Sequence, residues 1–230
     1  MDSNNVGPSL KQVSNDEFRE KLEEIQAHAH ALRTKELSLV SELLGDGALY
    51  AYLFFFIPSI ERSVRLIDGE LAVLEQRNLP CAEILLRAQI DTCIRIYAAY
   101  IAEDRKKLYE TFMQQKPIKD LKDKDKHKLT DNYLKKKLSE HDPSLSEYYD
   151  VVSGSIHYSA RSLFLMNTSA IDEKNYDFCI NIGDTPDIRW NAPLIGCWNA
   201  FAHFTNLHIE LLEKTLLETK TSPIDNAVED

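Results

Sequence analysis

Residues 81–101 read CAEILLRAQIDTCIRIYAAYI, and this run decides the fold. At about 100° per residue, its apolar side chains (Ile84, Leu86, Ile90, Ile94, Tyr97 and Ile101 among them) fall on every side of a helix, the pattern of a helix buried at the centre of a bundle. Arg87, Asp91 and Arg95 nevertheless recur at every fourth position and form one charged stripe, which Glu83 extends by a turn. Burying an unpaired charge costs on the order of several kcal/mol, so the stripe either closes on itself as a salt-bridge ladder or faces a solvent-filled cleft. Arg87 and Asp91 are expected to be largely buried and paired.

The segments around it supply the rest of a bundle. Ser14 and Glu17 form a capping box, and Phe18, Leu22, Ile25, Ala29, Leu32, Leu39 and Leu43 continue as a narrow apolar seam that only Glu36 interrupts and that Gly45-Asp46-Gly47 ends. Ile60, Val64, Ile67, Leu71 and Leu74 form a second seam, with Pro58 either kinking that helix or starting it, and Asn78-Leu79-Pro80 closes it. The quoted helix is predicted to run from Pro80 to about Phe112. A short helix near Thr130–Leu138 and another after Asp142-Pro143 follow. The last helix is predicted from Ala192 to Thr219, with Leu194, Trp198, Phe201, Thr205, His208 and Leu212 on its inner line. Between them the period shortens, and Tyr176–Ile182 alternates as a strand that pairs with Leu163–Met166. The fold class is mainly α: an up-and-down bundle of five or six long helices with a small β-hairpin insertion near 163–190. A disordered start (1–13), one domain (14–220) and a disordered tail (221–230) complete the organisation.

The chain has 230 residues, 43% apolar and 28% charged, with only 7 Gly and 8 Pro, which suits long helices better than many short strands. Cys81, Cys93, Cys179 and Cys197 have no metal-ligand spacing, so no metal and no cofactor is implied. His28 with His30 and His203 with His208 are too awkwardly spaced to share an ion, and His141 reads as a surface loop residue. Glycine-rich phosphate loops, zinc-protease motifs and nucleophile elbows are missing. Neither a secretory leader nor a membrane span is read, because the run Ala48–Ile57 is far shorter than the roughly 20 residues a spanning helix needs. A cytoplasmic address is the expectation.

The net charge of −10 conceals a basic segment: 105–137 carries +7 and the remainder −17. Lys119, Lys122, Lys124, Lys126, Lys128, Lys135, Lys136 and Lys137 make it a candidate nucleic-acid arm. The alternation of base with acid over 119–128, without an aromatic to stack on, also fits a solvated face.

In the helix after Pro143, Leu145, Tyr149, Val152, Ile156 and Leu163 form the apolar line, while Ser153, His157 and Arg161 share another face. If this helix packs on the quoted one, Asp91 orients the His157 imidazole as a general base, and Arg87, Arg95, Arg161 and Ser153 hold an anion or phosphodiester. The catalytic candidates are therefore His157, Arg87 and Asp91.

Leu85-Leu86-Arg87-Ala88-Gln89-Ile90-Asp91, followed by Ser153-Gly154-Ser155-Ile156-His157-Tyr158-Ser159, resembles a group of uncharacterised bacterial helical proteins with an Arg-x-x-x-acid helix and a later Ser-x-x-x-His-x-Ser helix. That group is similar to the HEPN superfamily, whose active members are RNases of toxin–antitoxin and phage-defence systems. The resemblance covers roughly residues 80–165. It implies a helical bundle that binds or cleaves RNA as a metal-independent endoribonuclease. The HEPN Arg-x(4–6)-His motif is not intact, since Asp150, Val151 and Val152 stand where its arginine belongs, so Arg87 or Arg161 would have to supply the charge. Two other readings stand beside it: an interaction or oligomerisation module whose seams (Phe18–Leu43, Leu194–Leu212) pair with a second copy or a helical partner, and a sensor of a small anion.

Overall fold

A computed structural model describes residues 12–45, 52–157, 159, 170–172, 177–179 and 188–221. Among them seven α-helices dominate: α1 (Asn15–Leu43), α2 (Leu53–Glu75), α3 (Leu79–Ile101), α4 (Arg105–Met113), α5 (Asp131–His141), α6 (Ser144–Ile156) and α7 (Asn191–Thr221). The protein is mainly α. No helix among the described residues is long and apolar enough to cross a membrane.

Helix α3 is central and packs against α2, α5, α6 and α7, while α1 lies across α2 and α7. Its Leu86, Ile90, Cys93, Ile94, Ile96 and Ala99 are all buried, as a helix with apolar residues on every side requires. The capping box starts α1 as expected: the Ser14 backbone N–H donates to Glu17 Oε2 at 2.8 Å, and the Glu17 N–H donates to Ser14 Oγ at 3.2 Å. The α1 seam, Glu36 included, is buried in the chain's own core, as are Leu194, Trp198, Phe201 and Leu212 of α7. Both seams proposed for a partner are therefore already in use. Helix α2 begins at Leu53 and runs through Pro58.

Three boundaries differ from the sequence reading. First, the helix predicted to Phe112 ends at Ile101, and α4 starts afresh at Arg105. Asp104 caps α4 by accepting the Lys107 N–H at 2.9 Å. Arg105 folds back to donate to the carbonyls of Ala99 and Tyr100, each at 3.2 Å, which satisfies acceptors that the end of α3 leaves open. The buried Arg105 guanidinium also pairs with Glu218 of α7.

Second, α6 stops at Ile156, and His157 turns to an extended conformation (φ −99°, ψ 150°). Near its end Ser153 Oγ donates to the Tyr149 carbonyl at 2.6 Å, and beyond it Ser159 Oγ donates to the Gly154 carbonyl at 2.6 Å, so a side chain past the end takes one of the open helix acceptors.

Third, the strand Asp177–Cys179 pairs antiparallel with Ala170–Asp172. The partner expected at Leu163–Met166, together with Tyr176, Ile180, Ile182, Arg161 and most of both chain ends, lies outside the described residues.

One core position is chemically unusual. Glu70 of α2 is fully buried, and no hydrogen bond of good geometry reaches either carboxylate oxygen. Burial pushes its carboxyl up to about 8, an effect that the neighbouring Cys197 thiol offsets only in part.

Candidate functional site

The spacing of Arg87, Asp91 and Arg95 places all three on one face of α3, and that face is one wall of a cleft of about 590 Å³. Phe54, Phe55, Ser59 and Arg62 of α2 form the opposite wall, and Phe112 and Met113 of α4 and Tyr149 of α6 contribute apolar surface. Both readings of the stripe are met in part: Arg87 and Asp91 pair along the helix, Arg95 pairs away from it, and all three line the cleft.

Each charge in it has a distinct environment. Arg87 is 12% exposed, pairs with Asp91, and donates from Nε to Ser153 Oγ at 3.2 Å. Its guanidinium carbon lies 3.8 Å from the centre of the Tyr149 ring. Asp91 is 43% exposed, so the expected burial holds for Arg87 and fails for Asp91, which faces the cleft. Arg95 Nη2 meets Asp131 Oδ1 at 2.7 Å. Arg62 donates from Nε to the neutral Thr92 hydroxyl at 3.1 Å, and no carboxylate among the described residues pairs with it. Three arginines and two aspartates leave the cleft with one cationic charge in excess, and that excess resides at Arg62.

The predicted composite with His157 does not assemble. Helix α6 does pack on α3, through Ser153 to Arg87 and Ser155 to Glu83. His157, however, is exposed at the end of α6, off the cleft wall, with no hydrogen bond or ion pair to Arg87 or Asp91. The helix ends one residue too early to carry it inward. Arg161 lies outside the described residues.

Behind the cleft lies a polar network that the sequence reading did not connect. Ser59 Oγ is 2.7 Å from His208 Nε2, and His208 Nδ1 is 2.7 Å from Glu36 Oε1. Ser63 Oγ donates to the same Glu36 oxygen at 2.6 Å, and Gln89 Nε2 donates to Ser63 Oγ at 2.9 Å and to Thr205 Oγ1 at 3.3 Å. Glu36, Ser63, Gln89, Thr205 and His208 are all fully buried. The signal was present as polar residues on otherwise apolar seams: Glu36 interrupts that of α1, and Thr205 and His208 sit on the inner line of α7.

The basic segment is largely neutralised on the surface. Lys124 pairs with Glu218, Lys126 with Glu103, Lys128 with Asp120, Lys135 with Asp150 and Lys137 with Glu140. Lys119, Lys122 and Lys136 are exposed and have no ion pair among the described residues. Lys135, Lys136 and Lys137 belong to α5 and the others of the candidate arm precede it, so the lysines mostly serve as a solvated face.

Asp123, Asp125 and His127 offer ligand atoms within 4.8 Å of one another, the one such group among the described residues. Asp123 is nonetheless occupied: its Oδ1 accepts the Asp125 and His127 backbone N–H groups at 3.0 and 2.8 Å, and its Oδ2 accepts from the Tyr133 hydroxyl. The group reads as a turn held together by its own aspartate. Cys81, Cys93 and Cys197 are free thiols, and burial raises Cys93 and Cys197 well above the ordinary thiol range.

Compared with protein-family models, curated proteins and solved structures, the chain matches none.

Proposed function

We propose that this protein binds a small organic anion with an apolar body in the cleft between α2 and α3. The observation that carries this reading is Arg62, a guanidinium at the wall of an aromatic-lined cleft with no carboxylate to neutralise it, whereas Arg87 and Arg95 are each paired. An arginine fork suits a carboxylate, sulfonate or phosphate, and Phe54, Phe55 and Phe112 suit the rest of such a ligand. Anilinonaphthalene sulfonate, a fluorescent aromatic anion, tests it. One equivalent is expected to bind to the native protein, and Arg62→Gln is expected to weaken binding about tenfold, the value of a lost charge-assisted hydrogen bond. Undiminished binding by Arg62→Gln would count against the cleft.

The HEPN-like reading, an RNA-binding or RNA-cleaving component of a stress or phage-defence system, is the competing proposal. A cleft with arginines and aromatic rings accommodates a single nucleotide, which favours it. The paired lysines and the position of His157 weigh against it. Single-stranded RNA that displaces the fluorophore, with a steep loss of affinity as salt is added, would shift the choice to RNA.

A further inference from the structure

The polar network behind the cleft ends on a hydroxyl that reaches it, and from this we infer that Ser59, His208 and Glu36 form a nucleophilic acyl-transfer triad acting on a carboxylic ester that carries an anionic group. The anionic part of that substrate rests on the anion-binding reading above; the triad itself does not. Three helices contribute one residue each: Ser59 comes from α2, His208 from α7 and Glu36 from α1. Both links, serine to imidazole and imidazole to carboxylate, measure 2.7 Å, within the reach that proton transfer and orientation require. His208 and Glu36 are fully buried, while Ser59 lines the cleft, so a substrate meets only the nucleophile.

With Glu36 as the carboxylate, the hydrogen bonds assign the roles. Gln89 donates its amide N–H to Ser63, and Ser63 spends its hydroxyl proton on Glu36 Oε1. A carboxylate oxygen that accepts from Ser63 also accepts from His208, which makes Nδ1 the protonated nitrogen and leaves the Nε2 lone pair facing Ser59 Oγ. Glu36 thus acts on the imidazole as a positioning group. Ser59 satisfies the second ring nitrogen of the buried His208, and its hydroxyl also stands at the cleft wall.

In the acylation step the Ser59 oxygen attacks the ester carbonyl carbon while His208 Nε2 takes the serine proton. The tetrahedral intermediate collapses as the carbon–oxygen bond to the leaving group breaks, and the departing alkoxide takes a proton from cleft water. The hydroxide so formed attacks the acyl–Ser59 carbonyl, the acid is released, and the Ser59 oxygen recovers its proton from the buried His208 imidazolium. Arg62 sits three residues after Ser59, on the same side of α2 and in the same cleft, where its positive charge faces the oxyanion or the anionic substituent.

Phenylmethylsulfonyl fluoride, an aromatic sulfonylating agent that loses fluoride to an activated serine, tests the triad on the full chain. One adduct per protein is expected, placed on Ser59 by tandem mass spectrometry. Ser59→Ala should abolish it, and Glu36→Gln should slow it by about 100-fold or more, because the oriented base is lost. Nitrophenyl acetate should give a burst of nitrophenol with the wild type and none with Ser59→Ala. Far-UV circular dichroism and the melting temperature of each variant report that the chain is folded. A folded wild type that acquires no adduct on Ser59, or a Glu36→Gln variant that reacts as fast as the wild type, overturns the triad. Persistent fluorophore binding in that outcome leaves the anion-binding reading intact, and its loss on Arg62→Gln with labelling retained does not touch the triad.

Discussion

The Arg87 guanidinium lies over the Tyr149 ring, its central carbon 3.8 Å from the ring centre, and so joins α3 to α6 through a cation–π contact at the edge of the cleft. Lys135 approaches the same ring at 4.6 Å. Tyr149 therefore shields two cations while presenting apolar surface to a ligand.

The unequal burial of Arg87 and Asp91 makes their substitutions unequal. Arg87→Met removes the stacked cation and the bond to Ser153 and is expected to cost about 2 kcal/mol. Asp91→Asn, at a half-exposed position, is expected to cost about 1 kcal/mol or less, because solvent screens the pair. Urea denaturation of the two variants checks the order. The reverse order would place the carboxylate in the core.

His157→Ala is expected to change stability by less than about 0.5 kcal/mol, since the side chain is exposed and beyond the end of α6. Fluorophore binding should also be unaffected. A loss of either would return the imidazole to the cleft.

Glu70 predicts a pH dependence of stability. Its folded carboxyl titrates at about 8 and its unfolded one at the ordinary value of 4.5, so the group remains protonated in the folded protein where the unfolded chain has ionised. The contribution is fully present below the unfolded value and is lost as pH rises towards 8. Across pH 5 to 8 this amounts to a loss on the order of 3 kcal/mol for the wild type, absent in Glu70→Gln. Thermal denaturation of both proteins at the two ends of that range reads the difference: a widening advantage of the glutamine variant at high pH is expected, and parallel curves would contradict the burial.

Arg105→Ala is expected to cost about 2–3 kcal/mol, because it reopens the Ala99 and Tyr100 carbonyls and deprives Glu218 of its buried partner. Arg105→Lys should recover only part of this, as one ammonium does not reach two carbonyls and a carboxylate with the same fork geometry. Chemical denaturation of both variants measures it.

The sequence made the framework legible where signals were local. The Ser14–Glu17 box, the α1 and α2 seams, the buried character of α3 and the face shared by Arg87, Asp91 and Arg95 all follow from spacing within one helix. The break after Ile101 was hidden because the apolar pattern continues through Leu108, and what ends α3 is Arg105 curling back on its carbonyls. His157 was misplaced for a related reason, since periodicity does not show that the backbone turns extended at His157 while Ser159 takes the Gly154 carbonyl. The link from Ser59 to His208 and Glu36 was beyond reach: the three residues stand on three different helices, and only tertiary packing brings 36, 59 and 208 together. Arg62 drew no attention because its distinction is the lack of a carboxylate partner, a property of space rather than of spacing.

The packing of α3 against α7 has a consequence for biosynthesis. The most buried helix of the bundle takes its most extensive cover from a segment translated long after it, and the contacts of Cys93 with Phe204 and of Gln89 with Thr205 close across that interval. While the ribosome is still at work, the side of α3 that carries Gln89 and Cys93 lacks this cover. The nascent chain must wait for α7 to leave the exit tunnel before its core can close.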